Sequence, residues 1–583
     1  MKIKLEESTF GLLLASLLLI FGGVFSSAVQ YDYTAVIDCL ADPLKPQYNG
    51  GIIINPEIND GVKGWTTHGG VKIEQRSSIS GNKYMVAHNR KQPYASVSHK
   101  VLLEKDKLYT FSAWIQVAGK NTTVTALFKT GDGFEKVGAV EAQVGCWSMF
   151  KGGISVASST PAELYFESND TSVDIWVDSV SLQPFTNEEW RSHQEQSIQK
   201  VRKSNMRLQV VDQNGRPIPN ANITIQQNRL RFPLGASINQ NIVRNTAYQN
   251  WFTQRFTVTT FENEMKWYTT ENTQGREDYS AADSMLAFTS QHRISVRGHN
   301  IFWDDPQYQP WWVKNLSPQS LGPATDKRLN SVVSRYRGRV IAWDVNNENL
   351  HFNFYESKLG GGITNKFFQR TRQLDRRAML FMNDYNTIED GRDSTSSPSK
   401  YIAKLRQLQA SLGANSVIGI GLEGHFHTVN IAYVRSALDT LAATRMPIWI
   451  TELDVQAGPS QAAYFEQILR EVHAHPGIQG IVIWGPWSQN GQCYQMCLVD
   501  PSFRNLAPGN VLDKLIHEWG GATAQATTND NGYIDVSLFH GDYEAKFVPQ
   551  GGRVDEVSPQ GKSLSFAVDH NSSGQVIKFV SHV

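Results

Sequence analysis

From Cys39 to Phe185 apolar and polar positions alternate in short runs, among them "YASVSHKV", "LYTFSAWIQV", "TVTALFKT" and "VDIWVDSVSL", parted by Gly, Asn and Asp. A period of two, broken by turn residues at short intervals, predicts an antiparallel β-sandwich over residues 39–185. The next stretch, "TNEEWRSHQEQSIQKVRKSN", is charged and free of Gly and Pro. It predicts a connecting helix with Asn187 as N-cap. A short β passage, "MRLQVVDQNGRPIPNANITIQ", completes a linker over 186–228.

From residue 229 the grammar changes. Continuous apolar runs recur with room for a helix between them: "PLGASI", "FTVTTF", "ISVRGHNIF", "VIAWDV", "MLFMNDY", "VIGIGL", "PIWITEL" and "GIVIWGPW". Helical patterns such as "YIAKLRQLQASL" and "QAAYFEQILREVHAH" lie in the intervals. Apolar strands alternating with helices predict a parallel sheet covered on its outside, and eight such units over 229–519 match an α/β fold of the closed (β/α)8 type, the TIM barrel. A doubly wound open sheet is the alternative. The tail, with "NGYIDVSLFHGDYEAKFV", predicts a small C-terminal β extension over 520–583.

Charge removes whole classes of partner. The 583 residues carry 55 Lys plus Arg against 55 Asp plus Glu, so no excess of positive charge draws the chain to nucleic acid or an anionic membrane. The 15 Trp suit stacking against a neutral ligand, although packing accounts for most Trp in any protein. The opening 28 residues place Lys2 and Lys4 before an apolar run from Phe10 to Phe25 and the small residues Ser26, Ser27 and Ala28. That is the layout of a cleavable secretion signal; an uncleaved anchor is the alternative. No later run is long and apolar enough to span a bilayer, so the chain is expected to be exported, free of the membrane after cleavage, and monomeric. Sequons at Asn121, Asn169, Asn222, Asn315 and Asn571 are candidate glycan acceptors on that route. Cys39, Cys146, Cys493 and Cys497 lack zinc-type spacing. Proximity in sequence favours Cys493 with Cys497 and Cys39 with Cys146 among three connectivities.

The chemistry gathers where the apolar runs stop. In "VIAWDVNNENLHF" a buried strand turns abruptly into Asp344, Asn346, Asn347, Glu348 and Asn349. The second strand runs into Glu262, Asn263 and Lys266, the third into His299 and Trp303, and the fifth into Asn383, Asp384 and Tyr385. Glu423, His425 and His427 follow the sixth, Glu452 and Asp454 the seventh, and Trp484 and Trp487 the eighth. Singly, each has a bland explanation as helix cap or packing. Together they fall on the face where barrels of this type carry their catalytic groups. Glu348 and Glu452, each just past an apolar run, fit the paired carboxyls of glycoside hydrolysis. Binding of Mg or Ca by the same oxygens is the competing use.

The strings "FENEMKW", "RGHNIFW", "WDVNNEN", "NDYN", "LEGHFH" and "WITELDV" resemble, in order, the motifs of glycoside hydrolase family 10, the retaining endo-β-1,4-xylanases. "HNRKQPYASVS" and "IWVDSVSL" resemble family 22 carbohydrate-binding modules. The first resemblance implies xylan or a related β-1,4-linked polysaccharide as partner, with no cofactor or metal in the reaction. It makes Glu348 the general acid/base and Glu452 the nucleophile, with Asn347 on the sugar 2-hydroxyl and His425 and Asp454 keeping Glu452 ionised. Glu262, Asn263 and Lys266 would grip the sugar one place toward the non-reducing end, and His299 and Trp303 would line the reactive position. Tyr385, Glu423, Trp484 and Trp487 would complete the cleft. The second resemblance implies sugar contacts by Arg90, Tyr94 and Glu167, with the module tethered to raise local substrate concentration.

The departures carry expectations of their own. Asn346 and Asn349 replace small or apolar residues, which predicts a less elevated pKa for Glu348. Asp304 replaces a common His. Glu423 replaces a common Gln and, without a compensating Lys or Arg, should raise the pKa of Glu452. Trp487 stands too near Trp484 for the usual second roof tryptophan.

Overall fold

The computed structural model describes residues 29–413, 415–521, 523–548 and 563–580; the expected signal at 1–28 lies outside them. The alternating N-terminal half folds as two five-stranded antiparallel sheets. One runs Trp65–His68, Ser96–Leu103, Thr160–Glu167, Thr122–Lys129 and Phe134–Ala142. The other runs Lys72–Ser77, Lys83–His88, Asp174–Thr186, Lys107–Ala118 and Ser148–Ser155. Their facing sides bury a continuous core that includes Met85, Phe111, Ile115, Phe128, Phe150, Leu164 and Ile175. The connecting helix spans Asn187–Val201, but its N-cap is Thr186 rather than Asn187. Thr186 accepts from the Glu189 N–H while the Glu189 carboxylate accepts from the Thr186 N–H, a capping box that Asn187 cannot build from one position further on.

The eight apolar runs form eight parallel strands in sequence order: Leu234–Ile238, Val258–Phe261, Ser295–Gly298, Ala342–Asn347, Met379–Asp384, Gly419–Leu422, Ile448–Val455 and Ile478–Ile483. Each pairs with the next, and the eighth pairs with the first, so the sheet closes and the open-sheet alternative falls away. Among the described residues no helix is long and apolar enough to cross a membrane.

The β passage after the connecting helix and the C-terminal tail, separate pieces in the sequence reading, are one unit. Lys203–Val211 pairs with Tyr533–Phe539 and Val576–Val580, while Asn222–Leu230 pairs with Ala524–Thr527 and Gly541–Val548. Met206, Leu208, Ile223, Ile225, Leu538, Tyr543 and Phe579 share its core. The barrel is thus inserted between the strands of a small β domain.

The sandwich packs directly against the barrel. Its strand Ser148–Ser155 lies against the barrel helix Ile431–Ala442, where Ser436 Oγ donates to the Gly152 carbonyl at 2.6 Å and Asn430 Nδ2 to the Gly153 carbonyl at 3.0 Å. A Cβ on Gly153 would sit 2.2 Å from the Ala432 carbonyl carbon, so only glycine permits this approach. Lys151 Nζ reaches Asp439 Oδ2 at 2.8 Å with both side chains buried, and also donates to the carbonyls of Asp32 and Thr34. The Tyr31 hydroxyl donates to the same Asp439 oxygen. The segment around Tyr31 is therefore pinned between sandwich and barrel.

Disulfides join Cys39 to Cys146 and Cys493 to Cys497. All five sequon asparagines are exposed.

Candidate active site

Glu348 and Glu452 line one cleft of about 950 Å³ at the C-terminal ends of the barrel strands. Both parent strands shift register just before the carboxylate, between Asp344 and Asn346 on the fourth and between Ile450 and Leu453 on the seventh. Such irregularities re-aim side chains at barrel rims. Glu348 itself adopts φ 58°, a left-handed conformation unusual for glutamate and of the kind that clusters at functional sites.

Every polar residue of the run after "VIAW" has a partner that explains it. Asp344 accepts from Arg297 Nη2 at 2.7 Å and pairs with His299 Nδ1 at 2.9 Å, which turns His299 Nε2 toward Glu452 Oε1 at 3.8 Å. Asn347 Nδ2 faces Glu348 Oε1 at 3.4 Å and Glu423 Oε1 at 3.3 Å. Asn383 Nδ2 donates to Asn347 Oδ1 at 2.8 Å, to Glu452 Oε1 at 3.0 Å and to Glu423 Oε1 at 3.2 Å. Two amides therefore link the three carboxyls. On the far side His425 Nδ1 meets Asp454 Oδ1 at 2.8 Å, and its Nε2 lies 3.4 Å from Glu423 Oε2 and 3.8 Å from Glu452 Oε2.

These surroundings drive two glutamates apart. Burial pushes Glu348 up; the Trp303 indole N–H opposes, but the nearby charges of Asp384 and Glu452 add to burial and carry the carboxyl to about 8. Burial would also raise Glu452, but His299, His425 and Lys266 outweigh it and hold this carboxyl down to about 2. At neutral pH one carboxyl of the cleft carries a proton and the other a charge.

One expectation fails here and another meets its proviso. Burial raises the pKa of Glu348, and Asn346 and Asn349 do not offset it, since both donate to Asp304, which is buried and also accepts from the Tyr355 N–H at 3.0 Å. Three separate departures from the family pattern are thus one hydrogen-bonded cluster. Beside Glu423 the compensating lysine is present: Lys266, with His299 and His425, keeps Glu452 low. Burial, then the charges of Glu452 and Glu348, push Glu423 itself well up.

The remaining candidates divide. Glu262, Asn263, Lys266, His299, Trp303, Tyr385 and Trp484 all line the cleft, with Lys266 Nζ 4.4 Å from the centre of the Trp303 ring and 5.4 Å from that of Trp484. Burial, then the charge of Glu264, pushes Glu262 up to about 7. Trp487 reaches the cleft wall but is only 3% exposed, stacked on Phe503 and tilted against Tyr248, which makes it chiefly a core residue. The cleft also holds aromatics that the strand-end reading missed. Tyr308 stacks on Trp303 at 4.0 Å, and Tyr494, 73% exposed on the loop closed by Cys493 and Cys497, stands edge-on to His425. The short span between those two cysteines was the available signal for Tyr494.

Glu423, His425 and Glu452 offer ligand atoms within 4.8 Å of one another, a spacing open to a cation. Asp454, Glu423 and Glu452 together overcome the burial of His425 and raise its pKa well above the ordinary value, so a cation there would compete with a proton for the imidazole. In the sandwich, Arg90 is corrected: its five N–H groups go to the carbonyls of Ala95, Asp170, Val173, Pro93 and Ser168, leaving no donor for a sugar. Tyr94 is 41% exposed, while Glu167 accepts from the Tyr165 hydroxyl.

A closed parallel barrel whose strand ends present an acid and a carboxylate across a polar, aromatic-walled groove defines a glycoside-cleaving enzyme. The chain matches the family model Glycosyl hydrolase family 10 over residues 224–499, and one described as Carbohydrate binding domain over 50–172. It is 41% identical to Endo-1,4-beta-xylanase 5 of Arabidopsis thaliana over 77% of this chain and 80% of that one. Identity to Endo-1,4-beta-xylanase 4 of the same plant is 35%, over 95% of this chain and 94% of the relative. An Anti-sigma-I factor RsgI6 of Acetivibrio thermocellus is 33% identical over 62% of this chain and 47% of its own length. The chain belongs to glycosyl hydrolase family 10.

Proposed function

We propose that the chain is a secreted endo-1,4-β-xylanase that cleaves internal bonds of xylan with retention, acting as a monomer in the extracellular space or cell wall. The observation that carries this reading is that Glu348 and Glu452 line one cleft in surroundings that push their pKa values in opposite directions. Glu348 delivers its proton to the leaving glycosidic oxygen as Glu452 attacks the anomeric carbon. The C–O bond to the leaving sugar breaks, and a glycosyl ester forms on Glu452. Glu348, now ionised, takes a proton from water, whose oxygen displaces Glu452 and restores both groups. Asn347, fixed by Asn383, is placed to meet the 2-hydroxyl as the ring flattens toward an oxocarbenium-like state.

The test is release of reducing ends from xylan by the full chain, with loss in both Glu348→Ala and Glu452→Ala. Equal rates in wild type and variants would refute the reading. A second, binding-only reading draws on the departures at Asn346 and Glu423. It predicts xylan binding without turnover. Transfer to an added acceptor oligosaccharide, giving products longer than the starting chain, would mark a transglycosylase using the same glutamates.

A further inference from the structure

One histidine beside the cleft has no part in the chemistry above. His351 lies on the turn that follows Glu348, where the Phe352 N–H closes back on the Glu348 carbonyl at 3.0 Å. Its Nδ1 meets Asp384 Oδ1 and its Nε2 meets Asp393 Oδ2 at 2.9 Å. Its ring lies flat against Tyr385, centres 3.8 Å apart and planes within 10°. Tyr385 and Asn386 line the cleft and His351 does not, so the imidazole backs the face of Tyr385 that substrate cannot reach. Both carboxylates are themselves anchored: Asp384 accepts from the Leu350 and Tyr385 N–H groups, Asp393 from Asn386 Nδ2 and the Thr395 N–H. One imidazole thus ties the turn carrying the proton donor to the loop carrying an aromatic wall. That wall follows the fifth strand, three strands round the closed barrel from the second, which Glu262 and Lys266 follow.

We propose that His351 is a positioning residue for the leaving-group side of the cleft, holding Tyr385 at a fixed spacing from Glu348 so that a departing sugar is stacked where its oxygen meets the acid. The inference rests on the proposed glycoside hydrolysis. A protonated ring suits the role, since only the cation donates from both nitrogens to two carboxylates. Against the effect of burial, Asp384 and Asp393 hold that proton with a pKa raised to about 9. The charged or titratable groups facing the ring are these two and Tyr385.

The test uses the full chain and two substrates: xylohexaose, whose leaving group is a sugar needing both platform and proton, and 2,4-dinitrophenyl β-xylobioside, whose leaving group needs neither. For His351→Ala the expected kcat/KM on xylohexaose falls about tenfold or more, whereas that on the aryl glycoside stays within about twofold. In Asp393→Asn, with one carboxylate gone, KM for xylohexaose should begin to climb at a lower pH than in wild type. Equal losses on both substrates, or none on either, overturn the proposal. If His351→Ala does not fold, the Asp393→Asn profile decides, and an unshifted profile refutes it. Wild type inert on both substrates would instead remove the proposed function.

Discussion

Replacing Lys151 by Met tests whether the sandwich and barrel are one body. Lys151 and Asp439 are buried to 2% and 0% side-chain exposure, and both belong to the seam: one to a sandwich strand, the other to a barrel helix. Breaking one partner of a buried ion pair costs roughly 3 to 5 kcal/mol, because the other charge is left in a low-dielectric site. Here Tyr31 and His475 still contact Asp439, which places the expected loss near 3 kcal/mol at pH 7. The sign with pH follows. In wild type, Lys151 and His475 outweigh burial and keep the Asp439 pKa below its ordinary value. Its contribution to stability is present above the unfolded pKa and lost as pH falls through the folded one. Without Lys151 that pKa rises, the folded variant takes up a proton, and its deficit against wild type shrinks as pH drops from 7 to 5. The assay is urea unfolding at both pH values, followed by tryptophan fluorescence and by residual activity. The two probes should move together, and Lys151→Met with Asp439→Leu should recover stability that the single change lost. A barrel transition that stays put while the sandwich melts separately, or a deficit that widens at pH 5, would refute the reasoning.

Other outcomes follow from the cleft. Activity should fall as pH rises through about 8, where Glu348 loses its proton, and Glu348→Gln should lose about 10²- to 10⁴-fold on xylan while sparing the first step on the dinitrophenyl glycoside, read as an initial burst of dinitrophenol followed by slow turnover. Glu423→Gln should retain activity at neutral pH, since burial and the neighbouring carboxylates already disfavour its charged form; a loss as deep as that of Glu452→Ala would show that Glu423 works ionised. Asp304→Ala strands the amide of Asn349, while Asn346 keeps Thr364 Oγ1 at 3.4 Å, so the loss should be about 1 to 3 kcal/mol, measurable as a lower thermal midpoint.

The barrel was legible because parallel strands buried on both faces are written as unbroken apolar runs, and because their ends switch to polar residues at the face that carries chemistry. "VIAWDVNNEN" shows both signals within ten positions. The composite β domain was not legible: Lys203 pairs with Phe539, and nothing local to either strand names a partner across the whole barrel. For the same reason Asp304, Asn346 and Asn349 read as unrelated oddities until the fold brought them together. Trp487 illustrates the limit of composition, since a tryptophan at a strand end is equally at home in a cleft roof or against Phe503. The helix cap, by contrast, was within reach: "TNEE" contains the Thr-x-x-Glu pattern that selects Thr186 over Asn187.

The central claim is that Glu452 attacks the sugar while Glu348 serves the departing oxygen. Incubation with 2,4-dinitrophenyl 2-deoxy-2-fluoro-β-xylobioside, followed by proteolysis and mass mapping, tests it directly, because the fluorine slows both formation and release of the ester while the activated leaving group speeds formation alone. The account predicts one fluoroxylobiosyl group per chain, on the peptide containing Glu452, formed also in Glu348→Gln. A label on Glu348, or dinitrophenol released with no labelled peptide, would contradict it.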